Sequence, residues 1–201
     1  MNTKTRKKSS KEKIIFESLR LFSLKGFKST SISDIINASH MSKGGFYNHF
    51  KSKEKLFSAV LSEARKIWRE KNLTGLDLED RYVNKVKKIL RNFKDYYLKD
   101  SVNFPGGCVF ITLSVELDDQ LPNLSNELSE GFTKLKAMIK RYLDRAKSNG
   151  EIREDIATEA ISEVIFAGMI GASVTYGMNK SDADLEKTIN TLIGYLETVE
   201  H

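Results

Sequence analysis

The three histidines and the single cysteine are the residues first suited to bond-making chemistry, and their spacing argues against it. His40, His49 and His201 are far apart along the chain, with no cysteine or carboxylate at metal-ligand spacing, and Cys108 stands alone. No nucleophile elbow, phosphate loop or paired-acid motif occurs, so the sequence predicts no enzyme, no metal and no cofactor. The densest polar chemistry lies in Ser31 to Phe50, SISDIINASHMSKGGFYNHF. Ser31 with Asp34 three positions on has the form of a helix-capping box, and Ser42 offers a second N-cap. Between them Ile32, Ile35 and Ile36 recur at helical spacing, and His40 sits in the corner. Lys43, Tyr47, Asn48 and His49 then line one side of a second short helix, with Gly44 and Gly45 small enough to let a partner come close. That chemistry is charge and hydrogen bonding toward an acidic partner. Two helices joined this way have the helix-turn-helix shape that places its second helix in a DNA major groove, although a plain helical hairpin has the same local pattern.

The elements that would position these residues read as helices throughout. Only two prolines interrupt 201 residues, and Leu, Lys, Glu and Ile recur at helical spacing. A first helix capped by Ser9 or Ser10 runs to Lys25 and stops at Gly26; a long connector starts on Ser52. Periodicity lapses over 72–79, a helix follows over about 80–99, and SVNFPGGC breaks the chain. Residues 108–117 are strand-like by propensity, yet with no partner strand they are expected as a buried helix, with Pro122 marking the turn after it. Long helices over 125–148 and 155–178 and a last helix capped by Ser181 complete an all-α chain. Charge is divided unevenly: residues 1–71 hold 17 Lys and Arg against 6 Asp and Glu, the remainder 16 against 21. A basic first third on an acidic remainder suits one part for a polyanion and one for another task. The first thirteen residues lack the apolar run of a signal peptide, no window reaches about 18 apolar residues, and one cysteine fits a reducing compartment. These features predict a cytoplasmic chain without a membrane partner.

From Lys11 to Leu61 the chain resembles the DNA-binding domain of the TetR family of bacterial transcriptional regulators. The residues that carry the likeness are Ile14, Ile15, Leu19 and Phe22, then Gly26-Phe27, Thr30-Ser31 and Asp34-Ile35, and above all Ser42-Lys43-Gly44, Tyr47, Phe50-Lys51-Ser52-Lys53-Glu54 and Leu56-Phe57. The resemblance implies an N-terminal three-helix DNA-binding domain (1–56, with a basic tail) and a helical regulatory and dimerisation domain (57–201). It implies a repressor that holds a palindromic operator in double-stranded DNA and is released by a small-molecule inducer. Thr30, Ser31, Ser42, Lys43, Gly44, Gly45, Tyr47, Asn48, His49 and Lys53 take the DNA-contacting roles, and Lys4, Arg6, Lys7 and Lys8 could add phosphate contacts. His40 stands where a turn glycine is usual, Gly45 where a base-reading side chain often lies, and Asn48 where an aromatic residue or histidine is commoner. The last two helices would form a homodimer: Ala157, Ala160, Ile161, Val164, Ile165, Ala167, Gly168, Gly171 and Ala172 give one face, and Leu185, Ile189, Leu192, Ile193 and Leu196 another.

Gly-Gly-Cys108 before an apolar helix and the acidic turn of 116–119 resembles the NemR-like repressors, whose cysteine at this place senses electrophiles or oxidants. A helix-start position would favour thiolate there. The ordinary alternative is a pocket for an apolar or aromatic ligand, with Phe93, Tyr97, Phe104, Phe110, Phe132, Phe166 and Tyr176 as candidate lining. A non-specific DNA-packaging protein is the remaining reading.

Overall fold

The computed structural model describes residues 8–117 and 121–201. Lys4, Arg6, Lys7 and the Asp118-Asp119 part of the acidic turn lie outside the described residues. Regular structure among those described is helical, apart from one isolated antiparallel bridge between Ile152 and Glu200.

Local capping chemistry starts most of the helices. α1 (Ser10–Lys25) begins on Ser9, which exchanges hydrogen bonds with Glu12, and ends at Gly26. Gly26 has φ +80° and ψ 176°, a region that only glycine visits freely. α2 (Ile32–Ser39) opens on the Ser31–Asp34 box. The Lys25 ammonium, 2.8 Å from the Asp34 carboxylate, and the Ser31 groups hold that carboxyl down at about 2. It therefore stays charged, and the box intact, until the pH falls well below the ordinary carboxylate range. His40 ends α2 in the left-handed conformation, φ +54° and ψ 41°. Ser42 then caps α3 (Lys43–His49), its hydroxyl accepting from the Gly45 amide at 3.0 Å.

α4 (Lys53–Asn72) is capped by Ser52 and is about 30 Å long at 1.5 Å per residue. Leu56 and Phe57 at its start are buried, with Phe57 meeting the rings of Phe22 and Phe27. Ala64 and Ile67 are buried further along, so one apolar stripe serves both ends of the molecule. A 3-10 turn at Leu76–Leu78 leads into α5 (Tyr82–Asn92). The helix expected over about 80–99 forms from Tyr82 to Tyr97, with its end altered. Residues Phe93–Tyr97 wind more widely as a π-helix, the Leu98 amide donating to the Phe93 carbonyl at 3.0 Å, which re-aims the rings of Phe93 and Tyr97.

α6 (Val109–Glu116) is helical as expected from the want of a partner strand. α7 (Pro122–Ser148) begins on its proline and not after it, because a first-turn proline lacks only an amide that has no helical partner anyway. α8 (Thr158–Asn179) and α9 (Asp182–Glu197) follow. α7, α8, α9 and α5 pack side by side, while α6 lies between this bundle and α1. An eighteen-residue window of α8 reaches a mean hydropathy of 1.3, enough by length and composition to cross a bilayer. That corrects the expectation that no window would qualify.

Candidate functional site

The turn between α2 and α3 leaves one side of α3 outward and pins the other. Phe46 is fully buried and Phe50 nearly so, while Lys43, Gly44, Tyr47, Asn48 and His49 are exposed. A side chain at Gly44 would meet no other atom within 4 Å, and one at Gly45 only the Ser42 hydroxyl. The fold itself therefore gives no packing reason for glycine at 44. A bare backbone on an exposed cationic face suits close approach by a large partner. Lys51 and Lys55 extend the basic surface beyond α3.

Two expected contact residues face inward. Thr30 is fully buried and its hydroxyl donates to the Gly26 carbonyl at 2.6 Å, so it shapes the corner before α2 in place of reaching a phosphate. The Lys53 ammonium donates to the carbonyls of Phe27 and Thr30, both at 2.9 Å, and sits 4.3 Å from the Phe27 ring. Burial lowers its pKa. Lys53 thus ties α4 to the α1–α2 corner, and its charge is already engaged. Ser31 and Ser42 are exposed, with each hydroxyl accepting an N-cap bond.

The same corner is gripped from the other half of the chain. The Glu116 carboxylate, at the end of α6, accepts from the Phe27 amide at 2.5 Å and the Lys28 amide at 2.6 Å. A side chain at Gly26 would strike that carboxylate. The loop before α6 adds a second grip: the Gly106 amide donates to the Ser23 hydroxyl at 2.8 Å, and Arg20 donates to the Val102 carbonyl. A Cβ on Gly106 would lie 1.9 Å from the Ser23 carbonyl oxygen, so only glycine fits there. Sequence reading missed these contacts; the Gly106-Gly107 pair registered as a breaker and as part of the NemR-like run before Cys108, not as a packing point.

At its other end α6 borders a cavity of about 320 Å³. Of the expected lining, Phe93, Cys108, Phe110, Phe132 and Phe166 form its wall. Tyr97, Phe104 and Tyr176 do not: Tyr97 and Phe104 are buried against each other, with rings 5.1 Å apart, and Tyr176 packs on the core. The wall also includes Trp68, Met169 and Ser173, with Arg65, Arg69 and Lys134, none of which the aromatic pattern pointed to. Cys108 is in hydrogen-bond contact with the Tyr97 hydroxyl at 3.3 Å. Burial pushes the Cys108 thiol up, against smaller opposing pulls from Tyr97 and the amides of Ile111 and Phe110. The thiolate expected at a helix start is therefore disfavoured: desolvation outweighs the helix-end amides.

On the outside of the bundle, Ala160, Val164, Ala167, Gly171, Val174 and Met178 recur at alternating steps of four and three along α8, all exposed. The expected interface divides accordingly. Ile161, Ile165 and Ala172 face inward, and Gly168 lies so close to Leu192 that a Cβ would overlap it. The α9 stripe Leu185, Ile189, Leu192, Ile193 and Leu196 is buried within the chain and forms core.

Family comparison reaches the same two regions. Residues 14–60 match the family described as "Bacterial regulatory proteins, tetR family", and residues 83–192 match "Tetracyclin repressor-like, C-terminal domain". The chain belongs to the TetR family. It is 24% identical over 184 residues to the HTH-type transcriptional repressor DhaR of Mycobacterium sp. (strain GP1), covering 90% of this chain and 89% of that protein. A TetR regulator from Chloroflexus aurantiacus J-10-FL superposes with a TM-score of 0.87 at 27% identity, covering 95% and 96% of the two chains. A CifR cysteine mutant solved with 26 bp double-strand operator DNA shares the fold, with a TM-score of 0.81 at 17% identity over 90% and 93%. This TetR-family chain is a DNA-binding transcriptional regulator and not an enzyme.

Proposed function

We propose that the chain acts as a cytoplasmic homodimeric repressor, released from a palindromic operator when a small molecule fills the cavity beside α6. The observation that carries this reading is the span of α6. Cys108, Phe110 and Ile111 border the cavity at one end, and Glu116 holds the Phe27 and Lys28 amides at the other. A ligand that widens the cavity displaces α6, and with it the corner on which α1, α2 and α3 are set. Induction is a shift between two separations of the paired α3 helices, driven by tighter ligand binding to the separation that does not fit DNA.

Within this scheme residues 1–56 form the DNA-binding domain and 57–201 the regulatory and dimerisation domain, with α4 shared. Lys43, Gly44, Gly45, Tyr47, Asn48 and His49 face the groove, and the α3 end capped by Ser42 meets a phosphate. Ser31, exposed on the corner, adds a backbone contact; Thr30 and Lys53 act by holding that corner. The exposed small-residue stripe of α8, beside α9, supports dimerisation through these helices.

The test is binding of the purified chain to a selected duplex and to scrambled DNA over a range of salt. A repressor prefers its operator by about a thousandfold or more. Equal binding with a steep salt slope would favour DNA packaging. A second reading, release by modification of Cys108, has a reactive-type side chain beside the cavity in its favour and a raised thiol pKa against it.

A further inference from the structure

We infer that the ligand admitted to this cavity is an amphipathic organic anion, with an apolar or aromatic body and one carboxylate head that Arg69 receives at the mouth. The inference rests on the cavity being the inducer site and adds the chemical class. The inner wall is apolar: Phe93 and Met169 are nearly or fully buried, and Phe132 meets Phe166 edge to face at 5.7 Å. Among the described residues charge enters through Arg65, Arg69 and Lys134, and none of the lining side chains is an Asp or Glu. Two of these three cations are paired: Glu127 is 3.6 Å from Arg65, and Glu130 is 2.5 Å from Lys134. Among the described residues the Arg69 guanidinium has no ion-pair or hydrogen-bond partner, and it is exposed.

Aromatic walls can also hold a cation by its attraction to ring faces. Here such a ligand would meet the Arg69 guanidinium, the lining cation that no described carboxylate offsets, so like-charge repulsion opposes it. An anion buried at the inner end would lose its hydration with no charged partner among the described lining residues there, which is costly. The head group is therefore placed at the mouth, where a guanidinium binds carboxylate in a two-pronged fashion. A volume of about 320 Å³ suits a body of moderate size.

Trp68 lines the cavity and is the only tryptophan in the chain, so its fluorescence reports occupancy directly. The purified chain is titrated with 6-phenylhexanoate, 6-phenylhexanamide and 6-phenylhexylamine, which share one body and differ in head charge. The carboxylate is expected to bind about tenfold more tightly than the amide, and the amine most weakly. Arg69→Gln should remove that preference and Arg69→Lys restore part of it, with carboxylate binding falling far more than amide binding. Equal binding of all three, or preference for the amine, overturns the anion assignment and leaves the cavity as an inducer site. A preference that survives in Arg69→Gln overturns the role of Arg69. No response of Trp68 to any of the three overturns the inducer-site reading and this inference with it.

Discussion

Lys43 is the side chain whose role can be read most directly from DNA binding. It lies exposed at the start of α3, and each phosphate contact contributes about one unit to the slope of log K against log salt. Lys43→Ala should lower affinity for all duplexes alike and reduce that slope by about one if Lys43 touches phosphate. Relaxed specificity at one base position would mean that it reads an edge, and unchanged binding would remove it from the interface. Cys108 gives a second test at this scale. Because burial raises its thiol pKa, iodoacetamide at neutral pH should alkylate it more slowly than a free cysteine, since only thiolate reacts. The rate should rise as pH is raised through and beyond the ordinary thiol range. Fast alkylation at neutral pH would reinstate the sensor reading. Ser9, Ser31, Ser42, Ser52 and Gly26 could all be read from sequence because a cap is decided within four residues of itself. Thr30 and Lys53 could not: their polar groups turn inward to carbonyls of the α1–α2 corner, and for Lys53 those carbonyls lie 26 and 23 residues away.

Among the elements, α6 carries the coupling in the proposed scheme, and Glu116 is the point at which it can be cut. Hydrogen bonds to a charged group contribute about 1.5–3 kcal/mol, so Glu116→Ala should lower the unfolding free energy by a few kcal/mol at most. Its larger effect should be on communication: ligand still quenches Trp68, but the change in operator affinity on ligand binding falls at least about fivefold. Equal coupling in the variant and the parent chain would show that α6 does not transmit the signal. This contact joins residues 88 and 89 positions apart, so no periodicity in the sequence announces it. The same limit explains the cavity. Aromatic residues were legible as apolar, but the π-helical turn at Phe93–Tyr97 decides that Phe93 faces the cavity while Tyr97 is buried beside it. The helix over 109–116 was legible in spite of its strand propensity, because a strand needs a partner that the rest of the sequence does not supply.

For the whole molecule, the exposed small-residue stripe of α8 is the feature that a monomer leaves unexplained. Ala167→Glu places a charge at its middle, away from the intrachain core, and should convert a dimer to a monomer by light scattering while leaving the helix content intact. Operator affinity should fall steeply with it, since one α3 helix then acts alone. A parent chain that is monomeric at micromolar concentration would refute this arrangement. The uneven charge, +11 over residues 1–71 and −5 over the remainder, suits the proposed division of labour, whereas which side of α8 faces outward required the packing of Gly168 on Leu192 to be seen. The most direct test of the central claim is selection of binding sites from random duplex DNA by the full-length chain. A homodimeric repressor should enrich a motif of two half-sites related by twofold symmetry, their centres about 34–36 Å apart or a multiple of that spacing. An enriched motif without symmetry, or no enrichment at all, would contradict it.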